Sequence, residues 1–188
     1  MFDMDGTLTC AMHDFDIMRS ELELPAGVPI LEALAALTPD TAREKRAALD
    51  AMELRMAADA RPQPGSHRLL TQLRSQGASL GIVTRNGKEI AQVTLKACGL
   101  DDFFDESTIV SRDCCTAKPD PAGLNLLLSR WEANADEAVM VGDYLFDLQA
   151  GHSAGVSTVH MDVDGVHPWP ELTSLSVSSL LELSRQIM

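Results

Sequence analysis

Asp3-Met-Asp-Gly-Thr-Leu8 decides how the rest of the chain is read. Two carboxylates alternate at the end of a short apolar start and are followed by a glycine at which the chain can turn. In an extended segment residues i and i+2 share a side, so Asp3 and Asp5 point together, and a turn at Gly6 can swing the second toward the target of the first. One carboxylate can then attack an electrophile or bind a cation while the other gives and takes protons. Only Met1 and Phe2 precede Asp3, whereas a strand ordinarily has about five or six residues. The expectation is that the natural product begins upstream and that part of this strand is missing here.

By itself the motif is weak. Asp162-Val-Asp-Gly165 repeats it late in the chain, and Asp-Gly loops are common turn chemistry. An EF-hand loop is excluded for the first copy, because its spacing would need an oxygen ligand at Met1 and a closing glutamate at Met12.

Three features raise the first copy above a mere turn. The apolar run 79–83 ends in Thr84, beside a helix start formed by Asn86 and Gly87, where a hydroxyl and free N–H groups suit a phosphoryl oxygen. Lys118 lies in Ala-Lys-Pro-Asp-Pro121, so two prolines stiffen the loop that presents its ammonium. Val139-Met-Val-Gly-Asp143 is a buried-strand pattern ending in glycine and a carboxylate, with Asp147 four residues on. Taken singly, Thr84 and Asp143 could be caps, Lys118 a surface charge and Asp147 an exposed neighbour. Taken together, all of them fall at the C-terminal ends of strands, the edge at which open α/β sheets bind ligands.

The surrounding pattern predicts that sheet. Residues 79–83, 108–110, 138–141 and 156–160 are short runs rich in Val and Ile, alternating with helical stretches, which is the mark of a parallel α/β sheet. Helices are expected from Pro64-Gly65 to Gly77, over 88–98 with Gly99 as the stop, over 121–131 and over 145–154. Leu175, Leu180 and Leu181 suggest one last helix. The stretch 13–61 differs, since it shows helical stripes (Phe15, Met18, Leu22; Leu49, Met52, Met56) and no strand pattern. Thr38-Pro39 reads as N-cap and first-turn proline. The domain reading is therefore an α/β core over 1–12 and 62–188 with a small helical cap over 13–61.

The composition bounds the function. The chain has 188 residues, 45% hydrophobic and 23% charged, with a formal charge of −13. That is a folded globule, and its acidity argues against nucleic-acid binding, which draws on Lys and Arg against phosphates. No stretch reaches the ~18 apolar residues of a membrane span. Cys10, Cys98, Cys114 and Cys115 form no CxxC pair and read as reduced, which with the absence of a signal-like N-terminus points to the cytoplasm. His67, His152, His160 and His167 show no metal-ligand spacing.

In their order, Asp3-Met-Asp-Gly-Thr-Leu8, Thr84, Lys118-Pro119 and Gly142-Asp143 with Asp147 resemble the four motifs of the haloacid dehalogenase-like hydrolase superfamily. The likeness extends over nearly the whole chain, and with its helical insert looks most like phosphoglycolate phosphatase-like members. The resemblance implies a Rossmann-like three-layer core with a cap. It implies that Asp3 is the nucleophile forming an aspartyl-phosphate and Asp5 the general acid and base. Mg2+ would be held by Asp3, Asp143 and the main-chain carbonyl of Asp5. Thr84 and Lys118 would bind the transferring phosphoryl group, with Arg85 and Asn86 beside them, while Thr7 and Asp147 support the site from behind. Dehalogenases of the superfamily lack the second carboxylate of the first motif, so Asp5 favours phosphoryl transfer. His13, Arg19 and Arg85 are the candidates for contact with the rest of the substrate.

The expected activity is therefore Mg2+-dependent hydrolysis of a small phosphorylated metabolite by a monomer or homodimer. Two alternatives stand beside it. A phosphomutase would need a cap able to retain a sugar phosphate, for which about fifty residues is small. A non-catalytic phosphate- or partner-binding module would not need the full set of acids and lysine.

Overall fold

The computed structural model describes residues 1–11 and 14–187. Its centre is a parallel sheet of five strands, β1 (Ile82–Val83), β2 (Ile109–Val110), β3 (Val139–Gly142), β4 (Ser157–Met161) and β5 (Leu175–Val177). β1 pairs with β2, and β3 with β4 and β4 with β5, all in parallel. The N-terminal residues join the two halves: Phe2 bridges Ile82 on one side and Val141 on the other. Phe2 N donates to the Gly81 carbonyl and Asp3 N to the Val141 carbonyl, at 2.9 and 2.8 Å. The order across the sheet is thus β2-β1-Phe2-β3-β4-β5, with Asp3 emerging at its middle.

Successive strand residues point to opposite faces, which sorts the core. Ile82, Val141 and Val159 pack with Leu69 and Leu70 of α4 (Ser66–Ser75), Leu95 of α5 (Lys88–Ala97) and Leu180 and Leu183 of α8 (Leu180–Gln186). Val83, Val110 and Met140 pack on the other face with Leu124 and Leu127 of α6 (Ala122–Trp131) and Ala150 of α7 (Leu145–Ala154). Helices therefore cover both faces of the sheet, a three-layer Rossmann-like arrangement.

The region before α4 is helical: α1 (Phe15–Glu21), α2 (Ile30–Ala35) and α3 (Pro39–Ala57). Met18, Leu22, Ile30, Leu34 and Leu49 form an apolar cluster of their own, with Met52 and Met56 packed against it. Phe15, expected in the buried stripe, is instead exposed. Asp14 caps α1 by accepting from the N–H groups of Asp16 and Ile17. Thr38 stands at the N-cap of α3, yet its hydroxyl pairs with that of Thr41 rather than with the backbone.

Two strand readings change. β1 is shorter than the run 79–83, because backbone pairing on both sides is made from Gly81 onward. Leu175 lies in β5 rather than in the last helix, drawn into pairing with Val159 at the sheet edge, and α8 begins only after Ser179 caps it. The second Asp-x-Asp-Gly copy is a turn: Asp162 accepts from the N–H groups of Val166 and His167. All four cysteines are free thiols. No described helix is long and apolar enough to cross a membrane.

Candidate active site

The strand ends bring the motif residues together. Asp3 leaves the central position, Thr84 follows β1, Asp143 follows β3, and Lys118 comes from the loop between β2 and α6. The Lys118 ammonium, on a side chain only 1% exposed, donates to Asp3 Oδ1 and to Asp147 Oδ1, each at 2.5 Å. Asp147 sits in the first turn of α7, where its other oxygen accepts from Tyr144 N at 3.0 Å and so cannot swing away from the lysine. Asp143 Oδ1 accepts from the Thr7 hydroxyl at 2.9 Å.

Close backbone approach makes this possible. Gly6 has φ +85°, a conformation glycine adopts without penalty, and a Cβ there would lie 2.3 Å from Asp143 Oδ2. The turn thereby folds the first motif against the fourth.

Asp3, Asp143 and Asp147 offer carboxylate oxygens that lie within 4.8 Å of one another. Burial raises the Asp3 carboxyl well above its usual range, helped by the charges of Asp147, Asp143 and Asp5 and opposed by Lys118. Burial likewise pushes Asp143 up to about 6, with the Asp147 charge adding and the Thr7 hydrogen bond opposing. Burial would lower Lys118, but the charges of Asp147 and Asp3 outweigh it and raise the ammonium above its ordinary value. One ammonium does not balance three carboxylates. An all-oxygen donor set with surplus negative charge fits a hard divalent cation such as Mg2+.

Asp5 is set apart from that cluster. Its Oδ2 accepts from the Asn86 amide at 2.6 Å and its Oδ1 from the Thr9 hydroxyl at 3.3 Å, which leaves it bordering the cavity rather than joining the three acids. The Thr84 hydroxyl accepts from Asn86 N at 3.1 Å. Arg85 is turned away from the acids: it pairs with both carboxylate oxygens of Glu32 in α2 at 2.9 and 2.7 Å, donates to the Lys118 carbonyl and lies 4.6 Å over the Phe146 ring. His13 lies outside the described residues.

A cavity of about 490 Å3 opens above these groups, between the sheet edge and the helical segment. Asp3, Asp5, Thr84, Asn86, Lys118, Asp143 and Asp147 line its floor, and Arg19, Ile30, Leu49 and Glu53 line its roof. Arg112 and Glu53 escaped the sequence reading. Arg112 follows β2 and pairs with Glu53 at 2.6 Å and Asp50 at 2.5 Å, both on α3. Nothing in local spacing marks a pair 59 residues apart. Tyr144 and Phe146, also on the cavity wall, escaped too, although their place beside Asp143 was a usable signal. A larger hollow of about 790 Å3 lies at the opposite edge of the strands, where Glu132 and Glu137 are the charged residues that line it among those described.

A family model described as haloacid dehalogenase-like hydrolase matches residues 1–161. The chain belongs to that family. An uncharacterised hydrolase of Saccharomyces cerevisiae, YOR131C, is 32% identical over 97% of this chain and 87% of its own length. The pyrophosphatase PpaX of Halalkalibacterium halodurans is 30% identical over 84% of this chain and 80% of its own. A provisionally named phosphoglycolate phosphatase from Lactobacillus plantarum shares the fold with a TM-score of 0.79 at 20% identity, covering 98% of this chain and 96% of that one. With these relatives the haloacid dehalogenase-like chain is a phosphatase-type hydrolase, as its motif order implied.

Proposed function

We propose that the protein is a Mg2+-dependent phosphatase that hydrolyses a small phosphorylated metabolite through an aspartyl-phosphate on Asp3, with residues 13–61 acting as a cap over the site. The observation that carries this reading is the Lys118 ammonium held between Asp3 and Asp147 at the floor of a cavity lined by Asp5, Thr84 and Asp143.

Asp3, Asp143 and the main-chain carbonyl of Asp5 would hold the cation, which when bound supplies charge neutralisation and orientation for the phosphate. Lys118 fixes Asp3 Oδ1, leaving Oδ2 to attack phosphorus. As the Asp3–phosphorus bond forms, the ester oxygen departs and takes a proton from Asp5. Water then gives its proton back to Asp5 and attacks phosphorus, which breaks the bond to Asp3 and frees phosphate. The Thr84 hydroxyl, on the cavity floor beside Asp3 and Lys118, is placed to bind the transferring oxygens. Asn86 aims the Asp5 carboxyl. The roof, which sets Ile30 and Leu49 beside Arg19 and Glu53, shields the site from water until the first product leaves. The relation to PpaX adds inorganic pyrophosphate as a candidate substrate of the same chemistry.

Phosphate release from p-nitrophenyl phosphate, measured with Mg2+ and with EDTA, tests this. Activity that needs Mg2+ and disappears in Asp3→Asn supports the reading; activity that survives Asp3→Asn overturns it.

A further inference from the structure

The cavity wall carries a half-exposed aromatic ring that is already fixed in place. Tyr144 stands one residue beyond Asp143, lines the cavity and is 53% exposed. Two near-perpendicular ring contacts hold it, Phe146 at 5.1 Å and Trp169 at 5.6 Å between centroids, and the Trp169 ring lies in turn 5.3 Å from that of His160. Its backbone N–H is bound by Asp147 Oδ2, so little freedom is left to lose when a ligand arrives. From the roof Phe15, also half exposed, borders the same space. A large apolar surface open to water beside a binding cavity marks a place where something docks, and a planar ring gains more on an aromatic surface than its area alone supplies.

The surroundings narrow what that ligand is. Pro29, Ile30, Leu31 and Leu49 make the outer walls poor in hydrogen-bonding groups. The charged side chains there are committed to one another: Arg85 to Glu32, Arg112 to Glu53 and Asp50, Arg19 to Asp16. The cavity of about 490 Å3 has room for about sixteen waters at ~30 Å3 each, more than a transferring phosphate alone would fill.

We infer that Tyr144 stacks on a planar unsaturated ring in the leaving group, so that the preferred substrates are phosphate monoesters bearing an aromatic or heteroaromatic ring rather than aliphatic or polyhydroxylated ones. This rests on the phosphatase reading. The ring either sits directly on the ester carbon or is a base carried beyond a sugar, and stacking serves both because each offers a π-face. Tyr144 is a specificity-determining residue; its side chain touches the part of the substrate that does not react, and its backbone N–H stays with Asp147 in any variant.

The test uses two pairs of esters, each leaving through the same CH2–O bond with and without a ring: benzyl against cyclohexylmethyl phosphate, and uridine 5′-monophosphate against ribose 5-phosphate. Phosphate release is measured for native protein, Tyr144→Phe and Tyr144→Leu, the last keeping apolar bulk against Phe146 and Trp169 without a ring. Native protein should favour the ring-bearing member of at least one pair in kcat/KM, by about 3- to 10-fold for the benzyl pair or about 5-fold or more for the nucleotide pair. Tyr144→Phe should keep that preference and Tyr144→Leu should lose most of it, chiefly through KM. The pair that shows the preference identifies where the ring is attached. Native protein with both ratios within about twofold of one overturns the inference and leaves the phosphatase reading standing. So does a preference that Tyr144→Leu retains, or one that Tyr144→Phe loses, since the hydroxyl rather than the ring would then be responsible. A Tyr144→Leu protein inactive toward all four esters also overturns it, because the residue would then serve the transferring phosphate. Native protein that releases no phosphate from p-nitrophenyl phosphate or any of the four removes the phosphatase reading, and this inference with it.

Discussion

The Lys118 ammonium lies 2.5 Å from the Asp3 carboxylate in surroundings where the lysine is almost fully enclosed. Removing one partner of a buried ion pair leaves the other charge uncompensated, at a cost of about 3–5 kcal/mol. Here Lys118 serves two acids, Asp3 and Asp147, so Lys118→Met should destabilise the fold by roughly that amount and abolish phosphate release. A denaturant titration with and without Mg2+ measures it. Mg2+ should recover part of the stability, because the cation restores positive charge beside Asp3, but none of the activity. A midpoint equal to that of the native protein would show that Lys118 is not the counter-charge.

Asn86 should act on turnover rather than on binding. Its amide holds Asp5 Oδ2, while its backbone N–H reaches the Thr84 hydroxyl and would remain in a variant. Asn86→Ala therefore removes one of the contacts that orient the Asp5 carboxyl, that of Thr9 remaining, without emptying the phosphate cradle. An aimed general acid contributes about 10²–10⁴-fold, and losing part of that aim should lower kcat about tenfold with little change in KM. Thr84→Ala should do the reverse and raise KM. Steady-state kinetics on p-nitrophenyl phosphate separates the two patterns.

Two arginines of unequal burial tie the helical segment to the sheet through ion pairs. Arg112 and Glu53 are 5% and 6% exposed, and their neighbour Asp50 is half open to water. Arg85 and Glu32 are 21% and 44% exposed. Arg112→Ala should thus cost more, about 3 kcal/mol, by removing the buried positive charge that both Glu53 and Asp50 face. Glu32→Gln should cost less than about 1 kcal/mol, and its effect should fade in high salt. Thermal melts of both variants at low and high NaCl decide between equal and unequal contributions.

How far the sequence carried depends on the range of the signal. The C-terminal strand ends, the glycine turns and the order Asp3, Thr84, Lys118, Asp143 were legible because each is written within a few residues. The α7 boundaries, Leu145–Ala154, fell where the apolar spacing put them. What escaped is set by pairing across the chain. β5 is a three-residue edge strand whose partner, β4, alone makes it a strand. Arg85 looked like a phosphate ligand from its place beside Thr84, and only the position of Glu32, 53 residues away, shows where its guanidinium goes. Arg112 and Glu53 carried no local mark at all.

The last prediction separates backbone strain from contact. Gly6 and Gly27 both have positive φ, +85° and +74°, so alanine is strained at either by about 1–2 kcal/mol. Nothing lies within 4 Å of a Cβ at Gly27, whereas one at Gly6 would press to 2.3 Å from Asp143 Oδ2. Asp143 cannot yield freely, because Thr7 holds its other oxygen and the acid must stay near Asp3 if the two are to share a cation. Gly27→Ala should therefore lose only the strain and keep its Mg2+-dependent rise in melting temperature. Gly6→Ala should lose more stability, and with it that rise and the phosphate release, since the first and fourth motifs can no longer close on one ion. Equal loss in the two variants would mean that the approach of Gly6 to Asp143 has no part in forming the site.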